Sequence, residues 1–560
     1  MDSHRKPLLS RNHAAHAAQR QSFTSRISLL VAQRLSVVGI EEEPRYGTVA
    51  GATVNTLCNV VGAGVLSLPL ALHNASIVGG FVLLFFMAIL GGVAAYMVIV
   101  GCEATKRFSF AEVVAHALFP AHDFEEFCLR AGKPVSHNVN LVGGSTREID
   151  ELHEQHKKRL ITQRLRRRII IVLLELLIFF NNYGTLIIYS RVIGDSMPPV
   201  VRSYLHASGI FVTRTFWLVT SGVIFFFLSC ARHMDELKWT SLLGFLTILY
   251  IVVVVAVRYV TSLQPEPYPN VDPAALAGIN WYHISLDILR TVSTYSIAFS
   301  YHSNIPYFYR ELKDRQPSNM LKSVYIAFPI ITACYATTGL LGYLTFGTLV
   351  AAPSVGGDIV RNYPADDDLV NIGRLGLFFH FACVYPILSV CARRGLHRVI
   401  MHALTWTTLT SKYMGNEDAA DENTVYYTVT RKGRGSSFIG GAETLDDIDR
   451  DVGSPEDTTT LAIVLEAFFI VSTSVLFAAY VSGISVVIDF LGTLLGTVMM
   501  FSIPGLAGWC IASRAHPLDF ALIRRTRLFM TFAFLLILTG VVSTVIGVAV
   551  LIQQYAFPSD

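Results

Sequence analysis

Residues 47–72 read GTVAGATVNTLCNVVGAGVLSLPLAL, and the fold follows from the contradiction inside them. The stretch is apolar and long enough to cross the ~30 Å hydrocarbon core of a bilayer at about 1.5 Å per residue. Yet it carries Gly51, Gly62, Gly64 and Pro69, with Asn55 and Asn59 among them. A backbone group freed by a helix break costs several kcal/mol in hydrocarbon, so a lipid-facing helix would not hold this mixture. An interrupted helix lining a polar cavity would, because unwound backbone and half-helix ends can hold a zwitterionic or ionic ligand there. Close helix packing through small residues is the competing explanation. The Gly62-Ala63-Gly64 spacing fits a GxxxG contact poorly, and the neighbouring asparagines fit it worse.

The rest of the chain is built on the same scale. Of 560 residues 52% are hydrophobic and 15% charged, against about 25% charged in a soluble domain. Charge is confined to a few stretches, and apolar runs lie between them. They fall at 47–72, 76–101, 168–193, 212–231, 239–260, 283–306, 319–347, 368–391, 460–481, 485–511 and 527–553, numbered here as segments 1 to 11. The prediction is an all-α polytopic membrane protein with eleven transmembrane helices.

The connections alternate in charge. Lysine and arginine crowd residues 1–46, 103–167, 232–238, 310–322, 393–450 and 514–527, while 261–280 has none, so that with Arg168 at the edge of segment 3, 37 of the 44 basic residues lie on one side. The positive-inside rule then places the N-terminus in the cytosol and, with an odd number of spans, the C-terminus outside or in a lumen. Residues 1–46 read as a disordered tail without a signal-peptide pattern, and 47–560 as the membrane domain. The cytosolic loops 103–167 and 392–458 are the places where a regulatory partner could dock. The first holds ELHEQHKKRLITQRLRRR (151–168), a basic helix suited to anionic lipid; the second is polar enough over 412–458 to be disordered. Asn74-Ala75-Ser76 is a formal glycosylation sequon in a very tight turn. Eight scattered cysteines without a CxxC pair suggest neither a disulfide framework nor a metal site, and no cofactor is expected. The bilayer is the solvent, and no nucleic-acid partner is expected.

NTLCNVVGAGVLSL (55–68) resembles the first span of the amino acid/auxin permease family, which includes sodium-coupled neutral and proton-coupled amino acid transporters. IAFSYHSNIPYFYREL (297–312) is similar to that family's sixth span, GYLTFG (342–347) to the end of its seventh, GRLGLFFHFACVYPILSVCARR (373–394) to its eighth and DFLGTLLGTVMMFSIPGL (489–506) to its tenth. The likeness covers the membrane segments in order and leaves out the tail and the two long loops. It implies a LeuT-like 5+5 inverted repeat with broken helices 1 and 6 plus an eleventh span, and the transport of free amino acids by a secondary transporter. Segment 6 supplies Pro306, Ser300, Ser303 and Asn304 but no glycine, so its break is less visible than that of segment 1.

On this resemblance the substrate carboxylate is expected at the amides of Gly62, Ala63 and Gly64, facing the positive end of the second half-helix. The α-amino group is expected among Ala298, Phe299, Ser300 and Tyr301, with Asn59 bridging the two breaks and Tyr183 contacting the carboxylate or gating it. Sodium-coupled members hold Na⁺ between segment 1 carbonyls, here near Cys58 and Val61, and segment 8 hydroxyls. This sequence has Ala382, Cys383 and Val384 before Pro386, where those members carry threonine. A hard cation needs oxygen ligands, so H⁺ coupling or facilitated uniport is expected ahead of Na⁺ symport. Among intramembrane ionisable residues, which are costly to hold in lipid, His302 beside the break is the first candidate proton carrier. Glu175 is a further candidate for ion or proton coupling; near the pocket it would make a cationic substrate plausible, and facing elsewhere it leaves neutral substrates equally expected, while His380, Glu466 and Asp489 are further ionisable positions. An amino-acid-sensing receptor is the alternative from another class. A membrane enzyme lacks any catalytic constellation here, such as an HExxH helix, and a channel lacks filter motifs. The membrane is expected to be the plasma membrane or an endolysosomal or vacuolar one.

Overall fold

Wherever the chain is described, the apolar runs fold as helix. The computed structural model describes residues 47–120, 146–230, 238–283, 285–414, 459–514 and 526–556. Eight helices among them are long and apolar enough to cross a bilayer, from Ile77–Thr105 to Arg527–Tyr555. A ninth span is formed if Val49–Val60 and Ala63–Ala75, which meet at 47°, are taken together. The other two apolar runs also fold as helix but fall short of that length. Segment 4 is Arg214–Ser229, and segment 6 is split into Ile288–Ala298 and Ile305–Glu311.

Two connections hold more helix than the hydropathy boundaries allow. A short helix, Phe110–Leu118, lies within 103–167, and the helix of segment 3 already begins at Thr146, carrying the basic run at 151–168. The helix of segment 8 runs Asp368–Met414, well past residue 392. Leaving the apolar region does not end a helix: lysine, arginine and glutamate are good helix formers, and only a capping or breaking residue stops them. The tail at 1–46 and the loop portions at 121–145 and 415–458 lie outside the described residues.

Segment 7 packs on both halves of segment 1 and on segments 2 and 5, while segment 8 packs on segments 3, 4, 5 and 9. The first half of segment 6 lies on segment 10 along a strip of small residues. A Cβ at Gly492 would meet the Ser293 carbonyl oxygen at 2.1 Å, and one at Gly496 the Ile297 amide at 3.3 Å. Between them the Ser293 and Thr493 hydroxyls hydrogen-bond at 2.6 Å. Segment 10 carries two π-helical turns here, Gly492–Gly496 and Val498–Ser502, a widening often found at functional sites. Above the strip Arg290 donates through Nε (3.2 Å) and Nη2 (3.0 Å) to Asp489 Oδ2.

On the side away from the basic connections, most of the few arginines are held. Asp195 pairs with Arg191, Arg214 and Arg361 at 2.8, 2.7 and 3.1 Å, and Arg258 pairs with Asp367 at 2.6 Å. Arg374 ties the 348–367 connection down by donating to the Pro364, Val360 and Tyr363 carbonyls. Asp358 in that connection accepts the Val360 amide, and its burial pushes the carboxyl up to about 6. On the basic side a parallel β-bridge joins the start of segment 1 to the end of segment 6. The Gly47 amide donates to Glu311 O (3.1 Å), and the Lys313 amide to Gly47 O (2.9 Å).

Candidate functional site at the two helix breaks

Segment 1 leaves helical geometry altogether for only two residues, 61 and 62, and regains α-helical geometry at Leu68. Its first helix ends at Val60, Gly62 is extended (φ −123°, ψ −154°), and Ala63–Ser67 resumes as a 3₁₀ turn leading into Leu68–Ala75. The carboxylate expectation changes in detail. The Gly62 amide is already used, donating to Val60 O at 3.0 Å. Ala63 and Gly64, as the first residues of the 3₁₀ turn, have no carbonyl one turn back within it. Nor does either glycine need a left-handed backbone; the reason for Gly64 is close approach. A Cβ there would stand 3.3 Å from Ala298 Cα and 3.4 Å from Ala298 Cβ. The lack of a side chain at Gly64 thus lets the two broken helices touch.

Segment 6 is open for six residues, 299–304, between helices ending at Ala298 and starting at Ile305. Pro306 sits in the first turn of the second helix, where its missing N–H costs nothing. Ala298, Phe299 and Tyr301 are buried, whereas Ser300, Ser303 and Asn304 are partly exposed. The two breaks meet through three contacts. Gly64 abuts Ala298, and Asn304 Nδ2 donates to Asn59 Oδ1 at 3.0 Å. The third comes from segment 7: the Tyr335 hydroxyl lies 2.9 Å from Val60 O and 2.8 Å from Ala298 O, the carbonyls at which the two first half-helices end. A phenol carries one proton and serves one of those carbonyls at a time.

Three sequence expectations are relocated by the structure. Tyr183 stacks on Phe179 (ring centroids 5.6 Å apart) and faces Phe477, so it belongs to the packing between segments 3 and 9. The tyrosine of segment 3 beside the break is Tyr189, whose hydroxyl would be 3.3 Å from a Cβ at Gly62 and whose ring stacks on Phe381. Six residues on a helix amount to about 9 Å and a turn of roughly 240°, which hydropathy alone does not resolve. Glu175 accepts from Arg398 at 2.6 Å, so its carboxylate is paired at the basic end of segments 3 and 8 rather than open to a substrate. His302 is 1% exposed and bonds through Nε2 to the Gly91 carbonyl of segment 2 (3.0 Å), turning out of the break; Nδ1 has no partner.

Cys58 is half-buried and Val61 buried, with the Val61 amide on Leu57 O. His380 is buried with neither ring nitrogen partnered, edge-on to Tyr189 at 6.4 Å. Of the other ionisable positions, Glu466 pairs with His397 (2.8 Å) and Asp489 with Arg290. Tyr335 and Tyr189 were missed. The usable signal for Tyr335 was one bulky, polar-tipped residue among Ala333, Cys334, Ala336 and Thr337, small neighbours that let it reach between helices.

The model of the family described as transmembrane amino acid transporter protein matches residues 45–553. Amino acid transporter AVT6E of Arabidopsis thaliana is 25% identical over 62% of this chain and 63% of its own length. Vacuolar amino acid transporter 6 of Saccharomyces cerevisiae is 24% identical over 64% of this chain and 77% of its own. Sodium-coupled neutral amino acid transporter 7 of Xenopus laevis is 25% identical over 43% and 50% respectively. The alignment thus spans less than two thirds of the Arabidopsis relative. The match takes in every helix described above except the last three residues of the final one. This chain is an integral, multi-pass membrane protein, and it belongs to the transmembrane amino acid transporter family, a family of transporters and not of enzymes.

Proposed function

We propose that the protein carries free L-amino acids across a membrane by alternating access, with the two helix breaks as its central site. The observation that carries this reading is the meeting of the breaks. Each interrupts the first segment of a five-segment half, and Gly64–Ala298, Asn59–Asn304 and the Tyr335 bridge join them. That is the placement expected of a LeuT-like 5+5 inverted repeat, with segment 11 outside it and eleven crossings in all. The substrate carboxylate is assigned to the Ala63 and Gly64 amides. Its ammonium is assigned to the acceptors around Ala298, Phe299, Ser300 and Tyr301. Names of relatives support the substrate class, and their vacuolar membership supports an acidic organelle as one location beside the plasma membrane. The basic connections support a cytosolic N-terminus, and the loops at 103–167 and 392–458 are the docking places for a regulatory partner.

Proton coupling is the reading favoured for the driving force. Ala382 and Val384 offer a cation no side-chain oxygen. The carbonyls of Val60 and Ala298, oxygens of the kind that ligate a cation, already share the Tyr335 hydroxyl. Among the described residues, His302 through Nδ1 and His380 through either ring nitrogen are two buried histidines with a nitrogen open to a proton. The test is initial uptake of twenty radiolabelled amino acids by the full-length protein in proteoliposomes, with pH and Na⁺ gradients imposed separately. Uptake is expected to follow an inward proton gradient and to ignore replacement of Na⁺ by choline. Strict Na⁺ dependence, as the name of the Xenopus relative suggests for that protein, would sink proton coupling. Uptake driven by neither gradient would identify a facilitated uniporter. Saturable binding without accumulation under any gradient would replace transport by sensing.

A further inference from the structure

His380 lies in the middle of segment 8, buried, with neither ring nitrogen hydrogen-bonded. Segment 5 leaves a notch for its ring: a Cβ at Gly244 would stand 2.1 Å from His380 Nδ1 and 2.7 Å from Cε1. The same close seam continues away from the basic side, where Gly376 abuts Thr247 and Gly373 abuts Ile251. Segment 3 supplies the other neighbour. Tyr189 lies edge-on to the His380 ring at 6.4 Å and stacks on Phe381, while its hydroxyl stands at Gly62 of the first break. We infer that His380, acting through Tyr189, is the residue that couples the amino acid to a proton. The inference rests on the proton-coupled transport reading above. It takes the role from His302, whose Nε2 is engaged by Gly91 O and whose ring turns out of the break.

Packing alone would not select this residue. A buried imidazole leaves a donor and an acceptor unmet here, a cost that a phenyl ring such as those of Phe379 and Phe381 would avoid. Nor does a charged group meet it. Of those on the segments packed against segment 8, Arg191, Arg214 and Arg258 are held by Asp195 and Asp367, and Glu175 and Glu466 by Arg398 and His397 at the basic end. On segment 8 itself Arg374 is engaged by carbonyls. Tyr189 is the titratable group that faces the ring. Coupling then follows from charge. A proton on His380 makes an imidazolium without a counter-ion, which the membrane interior disfavours. The substrate carboxylate assigned to the Ala63 and Gly64 amides arrives just beyond Tyr189. In low dielectric the two charges attract across that ring, so each ligand raises affinity for the other by the same factor. The proton comes from water on the loading side, rests on one imidazole nitrogen and returns to water on the other side with the amino acid.

The test uses His380→Gln, polar but without a titratable ring, in the full-length protein in proteoliposomes, with the best-transported of the twenty radiolabelled amino acids. In the unsubstituted protein KM is expected to fall about tenfold as the loading side is taken from about pH 7.5 to 5.5, the scale of an ordinary coupling between sites. In His380→Gln, KM is expected to be flat over that range and accumulation lost, while exchange of labelled for unlabelled amino acid persists, slowed severalfold. His302→Gln is expected to keep the pH dependence of KM. Gly244→Ala, whose methyl group takes the space of Nδ1, is expected to blunt that dependence in a chain that still has the histidine, and carries the test if His380→Gln does not fold. A pH-dependent KM surviving in His380→Gln, its loss in His302→Gln, or a monodisperse His380→Gln without exchange would overturn the assignment of His380 alone. An unsubstituted protein indifferent to pH would bring down the proton-coupled reading, and this assignment with it.

Discussion

Segment 1 is interrupted for two residues and segment 6 for six, yet the shorter break is the glycine-rich one. The difference separates two demands that a broken helix can make on its sequence. At the first break the backbone must come within van der Waals reach of a neighbouring backbone, and only a missing side chain allows this: Gly64 against Ala298. At the second the helix unwinds over ordinary residues; the freed Ala298 carbonyl is reached from outside by Tyr335 of segment 7, and the Asn304 side chain donates to that of Asn59 in segment 1. Glycine therefore reports close approach, whereas unwinding depends on a partner elsewhere in the chain. Tyr335 links the two cases, since its one hydroxyl lies within reach of the last carbonyl of both first halves and donates to one at a time.

Substitution at Gly64 tests this contrast most severely. Its nearest neighbour is main chain, which cannot rotate away as a side-chain tip can. Gly64→Leu is expected to abolish measurable uptake in proteoliposomes, and Gly64→Ala to lower it severalfold. Insertion, set by the overall apolarity of the segment, should persist in both. Normal transport by the leucine variant would show that the first break tolerates separation from the second. Next in size is Tyr335→Phe, which keeps the ring but removes the one proton that the Val60 and Ala298 carbonyls share, leaving Val60 O with the Gly62 amide and taking the hydroxyl from Ala298 O. At about 1–3 kcal/mol for an unsatisfied buried group, initial uptake should fall about tenfold or more. An unchanged rate would mean that water serves those carbonyls equally well. The smallest effect belongs to Asn304→Ala, because its bond to Asn59 is partly exposed. A loss of less than fivefold in uptake rate is expected, in line with about 0.5–1.5 kcal/mol for a single hydrogen bond. A larger fall would make that side-chain pair, rather than Tyr335, the principal link between the breaks.

How much of this could be read from the sequence follows the same division. The apolar helices were legible because hydropathy is a local property: each of the eleven runs carries helix, and eight or nine of those described are long and apolar enough to cross a bilayer. The first break was legible because Gly62, Gly64, Asn55 and Asn59 are conspicuous in an apolar run. What stayed hidden depends on contacts between distant residues. The six-residue opening at 299–304 contains no glycine, and its partner Tyr335 lies a whole segment away. Whether Glu175 faces the pocket was open in the sequence, and folding brings Arg398 to it from 223 residues further along. Tyr183 and Tyr189 share a helix and an aromatic ring, and only packing decides which one faces Gly62. The ends of the long helices were misjudged because charge marks where a bilayer stops and gives no signal that a helix does.

The β-bridge at the basic face has a consequence for how this protein tolerates change. It fastens the start of one interrupted helix to the end of the other through main-chain atoms only, Gly47 N to Glu311 O and Lys313 N to Gly47 O. Exchanging Glu311, Leu312 or Lys313 for other residues, proline at 313 apart, leaves those donors and acceptors in place. At Gly47 the reverse holds, since any Cβ would lie 2.6 Å from Glu311 O and 2.9 Å from its carbonyl carbon. The seam is thus nearly immune to substitution along one edge and vulnerable at a single position on the other. A random library should find it through Gly47 alone.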